Sequence, residues 1–525
     1  MTSYPTKDAK LLSVLWVQVC FALLLSAPAL RPEKEHAELQ LNNEPEPLEC
    51  SDLKSCLALL GTANPAAAER AAHQTVNDPA YTLNDFETDC KAAFPELELY
   101  RVKGGTLGNR GGEAEYQRTL GALFSVYWLV RKDMEGDASG MDGFCFGVDS
   151  SGRSKTEQDE TIKNLSKRTA FKHNSEVWAQ IDNLTTNAGF KSKTDTTLLR
   201  SMLALTAIHD IMKIEALIPK NEIDTTDHDL ALGYVLKHQT EYPLPSYQML
   251  SDIPAGQNKV LFALAEMNFN FGHMVQAEAP PGALFKDLMG VIHKMRDTPA
   301  ELDKQLLFYF FHWFTDLAGA TANPKGGNEI FILKLPTVVL LNFFNAMSHV
   351  RNLGSGDETQ VYLDYLRSTP AGVFVKDNAQ PQEFVALTRL ILMSQAGELA
   401  VKDAFTALDP ESKRTLTEEL SVTGTDTPFP EGAPPSSKEG PAFLVYYGPK
   451  LLQLNKKDGL SASMQLLAGI FAKARAEFAQ RPSGQTMTIM LEDPQGLAEA
   501  AKAGVADAIG RLSVDAEGKV SLAGR

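Results

Sequence analysis

The sequence predicts a mainly α-helical protein, and two observations lead to that prediction. After residue 160, apolar residues recur with the 3.6-residue period of an amphipathic helix, and short polar turns separate the helical segments. There is no internal repeat and no heptad array, which argues against a solenoid or a coiled-coil scaffold. We expect the central helices at residues 160–174, 175–186, 196–215, 227–237, 258–273, 282–295 and 300–319.

The chain is long enough for two or three domains, because it has 525 residues and a domain has about 150. Changes in composition along the chain indicate six parts. They are a leader at residues 1–30, a cysteine-containing N-terminal region at 31–150, a helical domain at 151–335, a helical extension at 336–424, a linker rich in proline and glycine at 425–441, and a C-terminal region at 442–525.

The balance of charge argues against one class of partner. Lysine and arginine together number 50 and aspartate and glutamate 66, so the formal net charge is −16. Binding to the phosphate backbone of nucleic acid depends on an excess of lysine and arginine, so we expect no such binding. A small phosphorylated substrate remains compatible with this composition.

The N-terminal segment has the features of a secretory leader. Lys7 and Lys10 precede an apolar run over residues 11–25, and an Ala-Pro-Ala tripeptide at 27–29 has the spacing of a cleavage site. This pattern predicts a cleaved signal peptide or an uncleaved signal anchor, and a cytosolic start is the third alternative. We therefore expect a secreted or membrane-anchored protein rather than a cytoplasmic one, with membrane contact only through an uncleaved leader.

The cysteines favour an oxidising compartment. Cys20 lies in the leader, and Cys50, Cys56, Cys90 and Cys145 remain as an even number in the first third of the chain. Two disulfides are compatible with these four cysteines, and the alternative is four free thiols in a reducing compartment.

A largely apolar segment at residues 197–217 carries a cluster of polar residues near its end, His209, Asp210 and Lys213. Burying an unpaired carboxylate costs several kcal/mol, so an aspartate in such a segment needs a cation, either a basic side chain or a metal ion. His209 and Asp210 could supply one nitrogen and one oxygen ligand to the same ion. The alternative is that His209 caps a helix and that Asp210 pairs with Lys213.

Two more residues of these types lie on other predicted helices. His173 lies in the predicted helix at 160–174, and Asp316 lies in a strongly apolar segment further along the chain. With the His209-Asp210-x-x-Lys213 element between them, this order resembles the HD-domain superfamily of metal-dependent phosphohydrolases over residues 160–320.

The resemblance implies an HD-like helical bundle in the domain at 151–335. It further implies that His173, His209, Asp210 and Asp316 bind a divalent metal ion, which could be Mn, Fe, Co, Ni, Zn or Mg. Such an ion would lower the pKa of a water molecule and polarise a phosphoryl group.

The same resemblance implies residues for charge neutralisation and proton transfer. Lys213 would neutralise charge at the metal site, and His228, Asp229 and His238 would be acid-base candidates. An alternative for the Asp-His-Asp stretch at 227–229 is an ordinary helix N-cap with favourable charge at the helix dipole.

The predicted function is hydrolysis of a nucleotide or a small phosphate ester by a metal-dependent phosphohydrolase. The alternative from another class is a secreted or membrane-anchored helical protein that keeps an HD-like fold without catalysis and serves in binding. A di-iron oxygenase on the same scaffold would need additional histidine ligands.

Two other features have alternative interpretations. The glycine-rich stretch at 103–112 is similar to a phosphate-binding loop but lacks the Gly-Lys-Ser/Thr ending, so we expect a surface turn there. His273 and Glu278 could line the same cleft as the metal site, or they could end a helix.

Overall fold

The computed structural model describes residues 48–107, 110–134, 140–155, 162–225, 227–267, 269–295, 297–354, 357–376, 379–421, 442–478 and 487–523. The expected leader at 1–30 and the expected linker at 425–441 lie outside these residues. Within them the protein is mainly α-helical, which confirms the predicted fold class. No helix in this part of the chain is long and apolar enough to cross a membrane.

The described α-helices are, in chain order, α1 (Leu53–Leu59), α2 (Pro65–Asn77), α3 (Leu83–Ala93), α4 (Gly112–Val130), α5 (Gly140–Phe146), α6 (Ile162–Lys172), α7 (Ser175–Asn187), α8 (Thr197–Ile208), α9 (His228–Lys237), α10 (Pro245–Gln248), α11 (Pro254–Ala265), α12 (Phe271–Val275), α13 (Pro281–Leu284), α14 (Lys286–Met295), α15 (Pro299–Gly319), α16 (Thr337–Val350), α17 (Glu358–Ser368), α18 (Pro370–Val375), α19 (Pro381–Ser394), α20 (Glu398–Thr406), α21 (Pro410–Ser421), α22 (Gly448–Leu454), α23 (Leu460–Phe478) and α24 (Pro494–Arg511).

The chain forms two compact units, and each unit is built from two separate stretches. Unit 1 comprises Met1–Asn268 and Thr298–Leu340, and unit 2 comprises Phe269–Asp297 and Leu341–Arg525.

Helices α4 and α15 pack against each other in unit 1. Gly121 of α4 and Gly319 of α15 allow the two backbones to touch, since a Cβ atom at Gly121 would lie 2.0 Å from the carbonyl oxygen of Gly319. Asp316 lies on α15, about one turn before Gly319.

Helix α8 is shorter than the predicted segment at 196–215. Every residue from Leu199 to Ile208 is buried, and the apolar, buried character continues through Ile211 and Met212. Apolar content therefore could not mark the end of the helix. The chain instead continues through two 3-10 turns, Ile211–Lys213 and Glu215–Leu217, which are tighter than an α-helix.

The single helix predicted at 258–273 is also wrong, because this part of the chain forms α11 and α12. Asn270 interrupts the helical run and caps α12, where its side chain accepts a hydrogen bond from the backbone N–H of His273 at 3.3 Å. Helix α11 belongs to unit 1 and α12 to unit 2.

Unit 2 combines helices with a four-stranded sheet. The strands are β1 (Phe443–Tyr446), β2 (Met487–Leu491), β3 (Leu512–Val514) and β4 (Lys519–Leu522), in the spatial order β1-β2-β4-β3. The pairs β1-β2 and β2-β4 are parallel, and β3 and β4 form an antiparallel pair. Parallel strands need long crossover connections, and α23 and α24 lie in these two connections.

The cysteines form one disulfide in the described residues, between Cys50 and Cys56. The sequence was compatible with a second disulfide, but Cys90 and Cys145 are both free and buried. Cys90 lies on α3 and Cys145 on α5, and burial raises the pKa of both thiols. These two cysteines therefore contribute to the apolar core.

Candidate metal centre

The imidazole of His209 is held in one orientation at the end of α8. His209 is the C-cap residue of this helix, and its Nδ1–H donates to the carbonyl oxygen of Thr206 at 2.7 Å. A carbonyl oxygen only accepts hydrogen bonds, so Nδ1 carries the hydrogen and Nε2 is the atom that faces the site. Metal-binding histidines are commonly oriented in this way.

Two carboxylates approach that nitrogen. Nε2 of His209 is 3.3 Å from Oδ2 of Asp210 and 3.1 Å from Oδ1 of Asp316. One ligand atom from each of the three residues lies within 4.8 Å of the others. Ligands that each lie about 2.1 Å from one ion are separated by about 3.0–3.4 Å when they occupy adjacent positions. The spacing in this cluster therefore suits a single ion.

The cluster contains one group that can carry a positive charge, His209, and two that can carry a negative charge, Asp210 and Asp316. Burial alone would lower the pKa of His209, but the charges of Asp210 and Asp316 outweigh it and raise the pKa to about 10. Burial would raise the pKa of both carboxyl groups, yet the charge of His209 holds the pKa of Asp316 below its usual value and that of Asp210 well below. At neutral pH, without an ion, one imidazolium therefore serves two carboxylates.

Lys213 supplies a second cation to Asp210. Its Nζ atom lies 2.5 Å from Oδ2 of Asp210, and both side chains are buried. The alternative without a metal is therefore correct in two respects, since His209 caps α8 and Lys213 pairs with Asp210. It does not explain why Asp316, from a different helix, approaches the same imidazole nitrogen. The metal hypothesis depends on that residue.

A second group of possible ligands surrounds the start of α9. One ligand atom from each of Asp227, His228 and Asp229 lies within 4.8 Å of the others. Nε2 of His228 is 3.4 Å from Oδ1 of Asp210, so Asp210 connects the two groups. Asp227 also caps α9, because its side chain accepts from the N–H groups of Asp229 and Leu230. Burial and the charge of Asp229 raise the pKa of Asp227 to about 6.

His312 lies beside the cluster around His209 and was not predicted from the sequence as a site residue. Its ring is 4.9 Å from the ring of His209, edge to face, and it is 7% exposed. Its Nδ1 atom has no hydrogen-bond partner among the described residues. Burial, followed by the charge of His209, lowers the pKa of His312 to about 3. One signal was available, because residues four apart share a face of a helix and His312 precedes Asp316 by four.

Two predicted site residues lie outside both groups. His173 is exposed in the turn that follows α6, so the structure does not bring it to the other three predicted ligands. His238 is exposed at the end of α9, where its ring stacks on Tyr234. At 1.5 Å per residue, His238 lies about 15 Å along the helix axis from His228. His273 and Glu278 belong to unit 2.

Fold and site together define a mainly α-helical protein with two largely buried clusters of histidine and aspartate side chains that could hold a metal ion. Residues 159–481 match the DUF6829 family, a family of unknown function, and the chain belongs to that family. No curated protein and no solved structure matched the chain. Since the family has no assigned activity, the function has to be argued from the site.

Proposed function

We propose that the protein is a metal-dependent phosphohydrolase that acts on a nucleotide or a small phosphate ester. The observation that carries this proposal is the convergence of His209, Asp210 and Asp316 within unit 1. The resemblance to HD-domain phosphohydrolases supports it, because the His-Asp pair and the later aspartate follow the order of that superfamily's ligands.

The side chains of the cluster fit a divalent ion. One imidazole nitrogen and two carboxylate oxygens form the mixed ligand set that suits Mn, Fe, Co, Ni and Zn, and the carboxylates also suit Mg. Three protein ligands are typical of catalytic sites, which keep a position open. When bound, the ion would polarise the phosphoryl group and acidify an attacking water.

The other tasks fall to side chains around the cluster. Lys213, positioned by Asp210, would neutralise negative charge on the phosphoryl oxygens. As water forms its bond to phosphorus and the ester bond breaks, the leaving oxygen needs a proton, which His228 would donate. The side chain of Asp229 is 3.6 Å from His228 and 47% exposed, so it would exchange that proton with solvent. His238 is too distant for this role.

One observation favours a second candidate function, a binding protein without catalysis. Lys213 already lies on Oδ2 of Asp210, the oxygen that also faces His209. Replacing metal by a lysine cation would preserve the fold of this region and remove the chemistry. The two candidates therefore differ in whether the cluster binds an ion.

The test is metal analysis of the purified full chain, together with hydrolysis assays on nucleotides and p-nitrophenyl phosphate. We expect a bound divalent ion and hydrolysis, both lost in Asp316→Asn. Asp507→Asn, which changes an exposed aspartate of α24, is the matched control and should retain both. The binding protein would be favoured if purified wild-type protein holds no divalent ion above background and if Asp316→Asn has the same metal content and hydrolysis rate as wild type.

We also propose that the chain enters a secretory route and is secreted or anchored through its leader. The Cys50–Cys56 disulfide supports this proposal, because disulfides persist mainly in oxidising compartments. Mass spectrometry should find a mature N-terminus near Leu30 if the leader is cleaved. Soluble protein with an intact Met1 would contradict the secreted form.

A further inference from the structure

Residues 105–107 of the glycine-rich stretch at 103–112 lie against the segment that follows His209 and Asp210, although the two are about a hundred residues apart in sequence. The N–H of Leu107 donates to the carbonyl of Lys213 at 2.8 Å, and the N–H of Glu215 donates to the carbonyl of Gly105 at 3.0 Å. Thr106 and Ile214 form an antiparallel bridge between them. The stretch is therefore not only a surface turn, because its backbone pairs with the residues that follow His209 and Asp210.

Helix α4 follows this stretch, and its first turn carries a buried carboxylate, that of Glu115, with three basic side chains around it. Glu115, in the first turn of α4, is 0% exposed. Its carboxylate oxygens lie 3.6 Å from Arg110, 3.5 Å from Arg118 and 3.8 Å from Lys213.

The carboxylate of Glu115 makes no hydrogen bond within the described residues. Buried carboxylates ordinarily accept several, so this arrangement is unusual. The three cations share Glu115 at distances longer than hydrogen bonds, and none of them is held to it by a short contact.

Charge at the site has the sign that a second phosphoryl group needs. Arg110, Arg118 and Lys213 carry +3, and Glu115, Asp210 and Asp316 carry −3. A divalent ion bound by the cluster, with His209 neutral as its ligand, would leave a net charge of about +2. A simple phosphate ester has one phosphoryl group, which the ion would bind. The two arginines are suited to bind a second phosphoryl group beside it.

We infer that Arg110 and Arg118 bind a second phosphoryl group, so that the substrates are phosphoanhydrides with two adjacent phosphoryl groups rather than simple monoesters. This inference rests on the proposed function. Both arginines precede residues 159–481, so the N-terminal region adds this recognition to the part of the chain that matches the family. Arg110 is the more accessible of the two, with 27% of its side chain exposed.

The test compares two anions on the full chain loaded with manganese. Calorimetric titrations use inorganic pyrophosphate and, separately, orthophosphate, each against blanks with the same manganese and no protein. We expect pyrophosphate to bind at least about tenfold more tightly, since each charge-assisted contact is worth about a factor of ten or more. Arg110→Gln should remove most of that preference while manganese binding stays unchanged.

Arg153→Gln, which alters an arginine whose side chain is 72% exposed on the same unit, is the matched control and should keep the preference. Arg118→Gln should act like Arg110→Gln. If it fails to fold, Arg118→Lys replaces it, because lysine keeps the charge beside Glu115 and loses the two-pronged contact.

Equal affinity for the two anions, or an equal loss of both in Arg110→Gln, would overturn the inference and leave the proposed function intact. Absence of binding by manganese and by each of the other candidate ions, Fe, Co, Ni, Zn and Mg, would overturn the proposed function instead. In that case, titrations of the metal-free protein with pyrophosphate and with orthophosphate still test the role of the arginines. Tighter binding of pyrophosphate that Arg110→Gln abolishes would support an anion site at the arginines, and equal binding of the two anions would refute it.

Discussion

Each unit of the protein buries a histidine beside an acidic side chain, and the two arrangements differ in the number of carboxylates that face the imidazole. In unit 2, Nδ1 of His273 lies 2.9 Å from Oε2 of Glu278, and both side chains are buried. The other oxygen of Glu278 accepts from the N–H of Tyr447 at 3.1 Å. In unit 1, by contrast, one nitrogen of His209 faces two carboxylates.

The surroundings of His273 and Glu278 in unit 2 indicate that this pair has a structural role. The ring of His273 packs edge to face on Tyr446, and Arg389 donates to the backbone carbonyls of Ala277 and Glu278. In this pair a single carboxylate lies beside the imidazole, so the pair contains no second buried negative charge that an ion would have to offset. A buried histidine beside one acid is therefore no sign of a metal site, whereas two carboxylates from separate segments of the chain at one imidazole nitrogen favour one.

The largest expected effect is on metal affinity. Asp210→Asn removes the carboxylate that connects both groups of the site, so we expect metal affinity to fall by at least about a hundredfold. Calorimetric titration with manganese measures it. Glu278→Gln changes the buried acid of unit 2 and should leave the titration as it is. A similar loss in both variants would remove the distinction between the two arrangements.

The second effect is on stability. Glu278→Gln leaves His273 beside a neutral amide, and we expect the free energy of unfolding to fall by about 1–3 kcal/mol. The midpoint of urea unfolding measures this change. An unchanged midpoint would show that the unit 2 pair is not structural.

A smaller effect concerns Glu96, another buried carboxylate, which accepts hydrogen bonds from the N–H and the hydroxyl of Ser246. Burial outweighs these bonds and raises the pKa of Glu96 above its usual 4.5. Ionised Glu96 therefore costs stability at neutral pH, and this cost disappears as the pH falls through the raised pKa. Relative to Glu96→Gln, wild-type protein should gain stability between pH 7 and pH 4.5 in urea unfolding. A difference independent of pH would contradict this.

The smallest effects are expected at the two predicted site residues that lie outside the clusters. His173 and His238 are both exposed. Replacing either with alanine should change the free energy of unfolding by less than about 0.5 kcal/mol and leave manganese affinity unaltered. A marked loss of affinity in His173→Ala would mean that His173 is a ligand after all.

Local sequence patterns predicted the fold class and part of the site, whereas contacts between residues distant in sequence could not be predicted. Helical periodicity identified the fold class, and the apolar segment around Asp210 identified a carboxylate in need of a cation. The sequence could not show that His173 lies just beyond the end of α6, in an exposed turn. The prediction therefore grouped His173 with ligands that it does not approach. His312 was missed because a histidine among aromatic residues has the pattern of a core position.

Contacts across the sequence were also beyond pattern reasoning. Residues 103–112 showed only glycine content, and their pairing with the segment after Asp210 is a tertiary contact. Arg110 and Arg118 belong to no motif, and only the fold brings them to Glu115 beside Lys213.

The central claim is that His209, Asp210 and Asp316 bind a divalent metal ion, and thermal melting tests it most directly. A chelator should lower the melting temperature, and adding Mn, Fe, Co, Ni or Zn should restore it. An ion that binds only the folded state stabilises it by about 2.7 kcal/mol at a hundredfold excess over its dissociation constant. Asp316→Asn should melt at the same temperature with and without chelator. If wild-type protein also melts at one temperature in both conditions, these three residues are not a metal site.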